Sequence, residues 1–416
     1  MRVPVLGGGG TNVDYVPPAG STTYSALHGN RAWTAAPDGW YQVVPIAGIF
    51  SHLLYAARGA PGAGKSSTIK LFKNGVATAL SVTIEGAVNK GEDILNNVSA
   101  VDGDLVIIQH VPFNTPSLFA PKHMVFFTPA DTTKGVFLGN TEGGATGELN
   151  QFLPEYASVA CGGARLNDIE AYWQVPMPTS GKFTYARVTL DAAPDPGGAA
   201  GYRFTLRKDG ADTLFVITIT GNNTTGTVTT DIPFAADEAY NWKIEPIGLP
   251  AATPHAGWGI VYEPDIIGEA IIVGQTYDVM HSTNTEMNTM THWSITTWAT
   301  FSDAAQDTET HLWKMTIKKF HVRFDLSPGW TKIYVFTLYK RTWNVTPGAD
   351  TALTVTIQDA DTMGSDDVNE VDAVDYDGIR MKCDPNAIGA PGRRSTWTVV
   401  MVPTPLATRS QGQFIG

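Results

Sequence analysis

The stretch that decides the fold is residues 201–210, which read Gly-Tyr-Arg-Phe-Thr-Leu-Arg-Lys-Asp-Gly. Apolar side chains at 202, 204 and 206 alternate with polar ones, which is the two-residue period of a strand with one buried face. Asp209-Gly210 accepts the positive φ values of a tight hairpin turn, and the apolar-rich run 215–219 comes after it. The segment therefore predicts a β-hairpin with one face in a core.

The same hairpin pattern occurs three times, at offsets of about 135 residues. In the first copy, residues 69–75 read Ile-Lys-Leu-Phe-Lys-Asn-Gly, and the returning strand is 80–84. In the third copy, residues 334–340 read Tyr-Val-Phe-Thr-Leu-Tyr-Lys, and the returning strand is 353–357. Independent matches in the same order indicate an internal triplication.

The match extends beyond the hairpin in both directions. Upstream, residues 187–191 match 321–325 and, more loosely, 52–56, and each segment leads to a Pro-Gly turn. This alignment places His52 and His321 at equivalent strand positions and interprets both as structural. Downstream, each copy closes on a strand that ends in proline, at positions 129, 264 and 403.

A repeat of this length has the size of a complete domain, because solenoid and propeller units run about 20–50 residues. Alternating strands separated by Gly, Pro, Asn and Asp turns predict an all-β protein of three tandem antiparallel β-sandwich domains. The long connections favour jelly-roll-like crossovers, and a small barrel is the alternative. The predicted division is a Gly-rich N-terminal arm (1–30), sandwiches at 31–130, 131–265 and 266–405, and a C-terminal tail (406–416).

The N-terminal arm contains four consecutive glycines at 7–10 and few core-forming residues. We expect such a segment to be mobile in a free subunit and ordered only against a neighbour.

The composition excludes several classes of protein. The chain has 416 residues with 28 Lys+Arg and 40 Asp+Glu, for a net charge of −12. Without clustered cations it is not expected to bind nucleic acid. The sequence contains no run of about 18 apolar residues, so no membrane span is predicted. The N-terminus lacks the apolar region of a secretory signal. Cys161 and Cys383 fall in different copies, so we expect neither an intradomain disulfide nor a zinc site.

Residues 59–66 read Gly-Ala-Pro-Gly-Ala-Gly-Lys-Ser and satisfy the phosphate-binding pattern G-x-x-x-x-G-K-[ST]. A functional P-loop leads into a helix whose N-terminal amides hold the phosphates. Here the next residues, 67–73, have the pattern of a strand that runs into an Asn-Gly turn. We therefore interpret the motif as a Gly-rich β-turn and expect no nucleotide cofactor.

No catalytic or metal-binding constellation stands out. The nine histidines are scattered without metal-ligand spacing, and no nucleophile elbow occurs. The acidic run 366–377 lacks the Gly and terminal Glu of an EF-hand loop. It is interpreted as a solvated loop, with a weak cation site as the alternative. The sequence predicts no enzyme, no catalytic residues, no metal and no cofactor.

The aromatic residues supply candidates for contact with a partner. Large aromatics anchor protein interfaces, and four tryptophans lie in Thr- and Asn-rich segments, namely Trp293, Trp298, Trp330 and Trp343. Trp343 lies in segment 341–350, which lengthens the hairpin turn of the third copy only, beside Arg341 and Asn344. The candidate contact residues are therefore Trp343, Arg341, Asn344 and Trp330.

The repeat unit resembles units found in structural proteins of tailed bacteriophages and environmental viruses. The resemblance rests on the Pro-Gly turn at 61–66, the F-T-L-R-K-[ND]-G hairpin at 204–210 and the T-A-L-T-V-T-I strand at 351–357. Two departures are the lengthened turn 341–350 of the third copy and the poorly matching lead strand 52–56 of the first.

The resemblance implies a virion component, such as a capsid decoration, collar, fibre or tail protein, assembled in the host cytoplasm. Its partners would be further copies of itself in a homo-oligomer and other virion proteins, with neither nucleic acid nor membrane. The alternative is a carbohydrate-binding adhesin or receptor-binding protein on the same sandwich architecture, with a host-surface glycan as ligand. A depolymerase built on a sandwich is a third interpretation.

Overall fold

The structure, a computed structural model, is all-β. It describes residues 1–8, 20–30, 33–37, 39, 41–57, 59–117, 121–141, 147–160, 162–164, 166–276, 279–280, 284–290, 299–300, 310–342, 345, 347–385 and 392–404. Within these ranges the regular structure is β-strand apart from a single 3-10 turn at Glu170–Tyr172. In this part of the chain, no helix has the length and apolar character needed to cross a membrane.

Sandwich 1 consists of ten strands. They are β1 (Val3–Gly8), β2 (Thr23–Ser25), β3 (Gly29–Asn30), β4 (Gln42–Val43), β5 (Gly48–Ala56), β6 (Gly62–Lys73), β7 (Val76–Gly86), β8 (Lys90–Ala100), β9 (Leu105–Phe113) and β10 (Lys122–Pro129). One sheet has the order β3-β1-β10-β5-β8, and the other has the order β2-β9-β6-β7 with β4 also paired to β9.

Sandwich 2 consists of nine strands. They are β11 (Gly135–Asn140), β12 (Glu155–Ser158), β13 (Val175–Pro176), β14 (Gly181–Leu190), β15 (Gly201–Lys208), β16 (Ala211–Thr220), β17 (Thr225–Phe234), β18 (Ala239–Ile247) and β19 (Ala256–Pro264). The sheet orders are β11-β19-β14-β17 and β12-β18-β15-β16, with β13 also paired to β18.

Sandwich 3 consists of ten strands. They are β20 (Ala270–Gln275), β21 (Glu286–Thr289), β22 (Ala299–Thr300), β23 (Thr310–His311), β24 (Met315–Phe324), β25 (Gly329–Arg341), β26 (Ala349–Asp359), β27 (Met363–Ala373), β28 (Gly378–Pro385) and β29 (Ser395–Pro403). The sheet orders are β20-β29-β24-β27 and β22-β21-β28-β25-β26, with β23 also paired to β28.

The strand order identifies each sandwich as a jelly roll. When the eight principal strands of sandwich 2 are numbered in chain order, without β13, its sheets read 1-8-3-6 and 2-7-4-5. Sandwiches 1 and 3 have the same order once their short additional strands are set aside. The first strand thus pairs with the last, which is the double Greek-key arrangement of jelly rolls. The prediction of three antiparallel β-sandwiches is confirmed.

The register shows that the three hairpins are equivalent residue by residue. A leucine near the end of each fourth jelly-roll strand is 0 % exposed, at Leu71, Leu206 and Leu338. Its carbonyl accepts a hydrogen bond of 2.7 Å from a threonine hydroxyl on the returning strand, from Thr78, Thr213 and Thr351. A shared side-chain bond in a shared register supports the triplication inferred from the sequence.

The prediction of a mobile N-terminal arm over residues 1–30 is wrong for the part that the structure describes. Strand β1 pairs with β10 along its whole length, and its residues Val3, Val5 and Leu6 are buried. A short strand covered on both faces shows a continuous apolar run instead of an alternation. The run Val-Pro-Val-Leu is such a strand, although the glycines after it resemble a flexible tether.

The alignment of His52 with His321 is also wrong. His321 lies opposite Thr398, five residues before the closing proline of its sandwich. The corresponding residue in sandwich 1 is Met124, and its partner is Leu54. His52 occupies a β-bulge with a positive φ of 57°. The third strand of each sandwich contains such a bulge, and the pairing with the closing strand shows that the loose match at 52–56 slipped by two positions.

The three sandwiches form a closed ring. The core of sandwich 3 includes Leu6, Leu54, Ala56, Met124 and Phe126 of sandwich 1. The core of sandwich 2 includes Ile271 and Val273 of sandwich 3, and the core of sandwich 1 includes Val136 and Leu138 of sandwich 2. Sandwich 1 thus contributes to the core of sandwich 3, sandwich 3 to that of sandwich 2 and sandwich 2 to that of sandwich 1, so the contacts are cyclic.

The first strands of the three sandwiches, β1, β11 and β20, meet at the centre of this ring and are called the axial strands. They converge on a cavity of only about 10 Å³ that is lined by residues 3–5, 136–138 and 271–273 together with His28 and Ala160. Pro4, Val136 and Ile271 occupy equivalent positions, since each pairs with the residue that lies three positions before the closing proline of its sandwich. The ring therefore has a pseudo-threefold axis, and apolar side chains close it.

Candidate functional site

The structure describes two of the four candidate contact residues, Arg341 and Trp330. Trp343 and Asn344 lie outside the described residues, as do Trp293 and Trp298. Arg341 is only 3 % exposed and pairs with Gly378 inside sandwich 3. Its proposed role as an exposed contact residue is wrong, because it is the last residue of the long strand β25 and does not belong to the turn.

Trp330 is 82 % exposed and lies in a bulge at the start of β25. The register passes from Gly329 opposite Asp359 directly to Ile333 opposite Gln358, so three residues of β25 are extruded. Thr331 has a φ of 63°, which is strained for a β-branched residue, and its amide donates to the Asp359 carboxylate at 2.7 Å. The indole of Trp330 is therefore displayed by a fixed turn.

The P-loop-like motif is the first copy of the same bulge. The register of sandwich 1 passes from Gly62 opposite Gly86 to Ser66 opposite Glu85, and Gly64 has a φ of 69° where sandwich 3 has the strained threonine. The motif continues into strand β6 instead of a helix. The motif therefore lies in a strand bulge, and the helix into which a P-loop leads is not formed at these residues.

The acidic run 366–377 forms most of β27 and the turn after it. Burial raises the pKa of Asp366, but hydrogen bonds from Asn369, Thr354 and Val368 outweigh burial and leave this pKa lowered. Asp93 in sandwich 1 has the same arrangement with Ser81 and Asn96. The repeated Asp-x-x-Asn therefore stabilises a strand bulge, and the described residues contain no group of three or more potential metal-ligating side chains.

The interface between sandwiches 1 and 2 is centred on a bidentate ion pair. Arg187 on β14 donates from Nε and Nη2 to the two carboxylate oxygens of Asp102, at 2.8 and 2.7 Å. Tyr185 donates to the same carboxylate at 2.8 Å. Burial and this carboxylate raise the pKa of Tyr185 to about 12, so the phenol remains a donor. Paired donation of this kind sets orientation as well as affinity.

The interface between sandwiches 2 and 3 uses a histidine in the corresponding place. His321 on β24 is fully buried, and its ring nitrogens lie 2.8 Å from Asp237 of sandwich 2 and 2.9 Å from Asp367 of its own sandwich. On β29, Thr396 and Thr398 donate to backbone carbonyls of sandwich 2 at 2.6 and 2.8 Å.

The interface between sandwiches 3 and 1 is mainly aromatic. The indole N–H of Trp313 donates to the carbonyl of His52 at 3.3 Å, and the two rings meet edge to face. Tyr376 donates to Glu92 at 3.1 Å, and the Lys90 ammonium lies 4.1 Å from the Tyr376 ring centre.

All three interfaces use the same element of the repeat. This element is the turn before the seventh jelly-roll strand, which comprises residues 101–104, 235–238 and 374–377. In each case the turn contacts the 1-8-3-6 sheet, or its rim, in the sandwich that follows around the ring. The turn of sandwich 1 forms an ion pair, that of sandwich 2 forms a histidine–carboxylate contact, and that of sandwich 3 forms an aromatic contact. Because the three chemistries differ, each turn fits one neighbour, and the order of sandwiches around the ring is specified.

A small cavity at the interface between sandwiches 1 and 2 contains a histidine–carboxylate pair. His255 Nδ1 lies 2.8 Å from Asp191, and both line a space of about 50 Å³. Small-molecule sites usually occupy about 300–1,000 Å³. Thr189 and Tyr41 also line this cavity, whose volume lies well below that range.

The sequence analysis missed the contacts that hold the ring together. The axial strands carry a repeated glycine, Gly7, Gly139 and Gly274, opposite a buried ring at His123, Trp258 and Trp397. A Cβ at these glycines would lie 2.2–2.5 Å from a ring nitrogen. The signal available in the sequence was an aromatic ring six residues before the closing proline in each copy, at His123, Trp258 and Trp397.

No protein-family model matches the chain, and no curated protein matches its sequence. A solved structure described as "The Triple Jelly Roll Fold and Turret Assembly in an Archaeal Virus" matches 92 % of this chain and 89 % of that one, at 11 % identity and a TM-score of 0.17.

Proposed function

We propose that this chain is a non-enzymatic structural protein of a virion, in which one polypeptide supplies a complete ring of three jelly rolls. The observation that carries the proposal is the cyclic exchange of apolar side chains among the three sandwiches about a closed axis. Jelly rolls are recurrent building units of viral capsids. A ring formed within one chain assembles without a subunit-concentration requirement, which suits a component of a large assembly.

A structural role is also supported by how the polar groups of the ring are used. Asp102 and Arg187 neutralise each other, and His321 lies between two carboxylates. Thr396 and Thr398 donate to backbone carbonyls of the neighbouring sandwich. These side chains join sandwiches, whereas a catalytic acid or base faces a substrate-sized space.

Further self-assembly and contact with other virion proteins would use the outer surface of the ring. Trp330 is our candidate for such a contact, because it combines high exposure with a turn whose geometry is fixed by Asp359. A rigid aromatic side chain loses little conformational entropy on binding. The protein would then act as a capsid decoration, collar, fibre or tail component within the virion.

A carbohydrate-binding adhesin is the second candidate function, and the same side chain favours it. An exposed indole offers a flat apolar face against which a sugar ring can stack, and jelly rolls are also the fold of lectin domains. The two candidates differ in what Trp330 contacts: protein in the first and a host-surface glycan in the second.

One set of measurements on the full chain separates these candidates. Light scattering over a concentration series measures self-association, and a glycan array measures sugar binding, each with the wild type and Trp330→Ala. Concentration-dependent assembly that the substitution weakens supports the virion role, whereas sugar binding that it abolishes supports the adhesin. A wild type that neither assembles nor binds glycans, but hydrolyses a polysaccharide, overturns the structural proposal.

A further inference from the structure

Sandwich 1 differs from the other two in a buried position next to the axis. His123, Trp258 and Trp397 occupy equivalent sites on the last jelly-roll strand, each opposite the repeated glycine of an axial strand. Each ring nitrogen bonds a backbone carbonyl of its own sandwich, at 3.0 Å for His123 to Leu27 and 2.9 Å for both tryptophans. An imidazole thus replaces an indole in one copy while keeping the same hydrogen bond.

The replacement introduces a group that can take up a proton. Nε2 of His123 must carry hydrogen because the Leu27 carbonyl only accepts, so a second proton can add only at Nδ1. Burial, opposed in part by that hydrogen bond, lowers the pKa of His123 to about 4, with smaller contributions from Lys122 and His28. Burial likewise lowers the pKa of His28, which lines the axial cavity, to about 4.

The groups around His123 give no compensation for a positive charge. Gly7 faces it from β1, and Tyr55 pairs with it from β5. Burial raises the pKa of Tyr55, so its phenol is neutral. Lys122 on β10 and His28 are the two groups whose charge acts on this imidazole, and both oppose protonation.

We propose that β1 is an acid-released strand, in which protonation of His123 and His28 disrupts its packing and opens the ring at sandwich 1. The direction follows from proton linkage: an exposed histidine titrates near pH 6.5, so the open state binds protons that the closed state excludes. The closed state is therefore fully favoured above about pH 6.5, and it loses stability as the pH falls toward 4. At pH 5, each such histidine raises the equilibrium constant for opening by about 30-fold.

Hydrogen exchange measured by mass spectrometry on the full chain tests this directly. Protection of β1, corrected for the intrinsic pH dependence of exchange, is compared at pH 7.4 and pH 5. The axial strands β11 and β20, which face tryptophans, are internal controls. We expect β1 to lose at least about 30-fold in protection while β11 and β20 change little. An equal change in all three strands, or none in β1, overturns the proposal.

Two substitutions of His123 separate protonation from general instability. His123→Trp installs the residue of the other two copies, and His123→Gln keeps an amide donor for Leu27 without a titrating ring. Either should reduce the loss of β1 protection at pH 5 by about 30-fold. His110→Gln is the matched control, because His110 is buried in the other sheet against Ser67. It should leave the acid response of β1 intact.

A folded His123→Trp or His123→Gln protein that still loses β1 protection as the wild type does contradicts the proposal. If neither variant folds at pH 7.4, the comparison of β1 with β11 and β20 in the wild type decides the question.

Discussion

Replacing Gly139 with alanine should destabilise sandwich 2 strongly for a single methyl group. The added Cβ would lie 2.3 Å from Nε1 and 2.4 Å from Cε2 of Trp258. This indole is fully buried and donates to the Val159 carbonyl at 2.9 Å, so it cannot move aside without losing that bond. Overpacking costs about 1–3 kcal/mol, and an unsatisfied buried donor costs about 1–3 kcal/mol. We therefore expect a loss of about 2–6 kcal/mol.

The assay is urea unfolding monitored by tryptophan fluorescence, with Gly274→Ala as a second test. There the Cβ would lie 2.2 Å from Nε1 of Trp397, so the loss should be similar and should appear in sandwich 3. Gly20→Ala is the control, because no atom of the described residues lies within 4 Å of its Cβ position; it should stay within about 0.5 kcal/mol. If Gly139→Ala is as mild as Gly20→Ala, the ring packing described for the axial strands is incorrect.

Three further outcomes are expected. Leu206→Ala should cost about 2–5 kcal/mol in urea unfolding, and the equivalent substitutions in the other sandwiches should agree with it; a neutral result at any of them would show that the repeat register is misplaced. Lys65→Ala should change stability by less than about 0.5 kcal/mol, and calorimetry should detect no ATP binding to the wild type; binding that the substitution removes would restore the P-loop interpretation. Asp102→Asn removes the half-exposed ion pair with Arg187 and should cost about 0.5–1 kcal/mol. That cost should shrink in 1 M salt, and a salt-independent cost would mean that packing, not charge, holds this interface.

The local architecture of the chain could be predicted from the sequence. The alternation at 202, 204 and 206 with the Asp209-Gly210 turn specifies a hairpin by itself, because strand period and turn chemistry are properties of neighbouring residues. Its recurrence about 135 residues away on each side can also be recognised in the sequence, and it predicts three β-sandwiches. The P-loop-like motif could be rejected for the same reason, since residues 67–73 have the period of a strand.

The arrangement of the sandwiches was decided by tertiary structure. Strand β1 is buried on both faces, so it lacks the alternation that marks a strand. Its glycines are typical of a flexible arm in the sequence, whereas the structure shows that Gly7 packs against His123. Arg341 borders a turn and is therefore expected to be exposed, yet the partner strand β28 covers it. The sequence determined each jelly roll because strand and turn signals are local. The ring, its three different interfaces and the histidine at a tryptophan site depend on contacts between residues far apart in the chain, which no local pattern encodes.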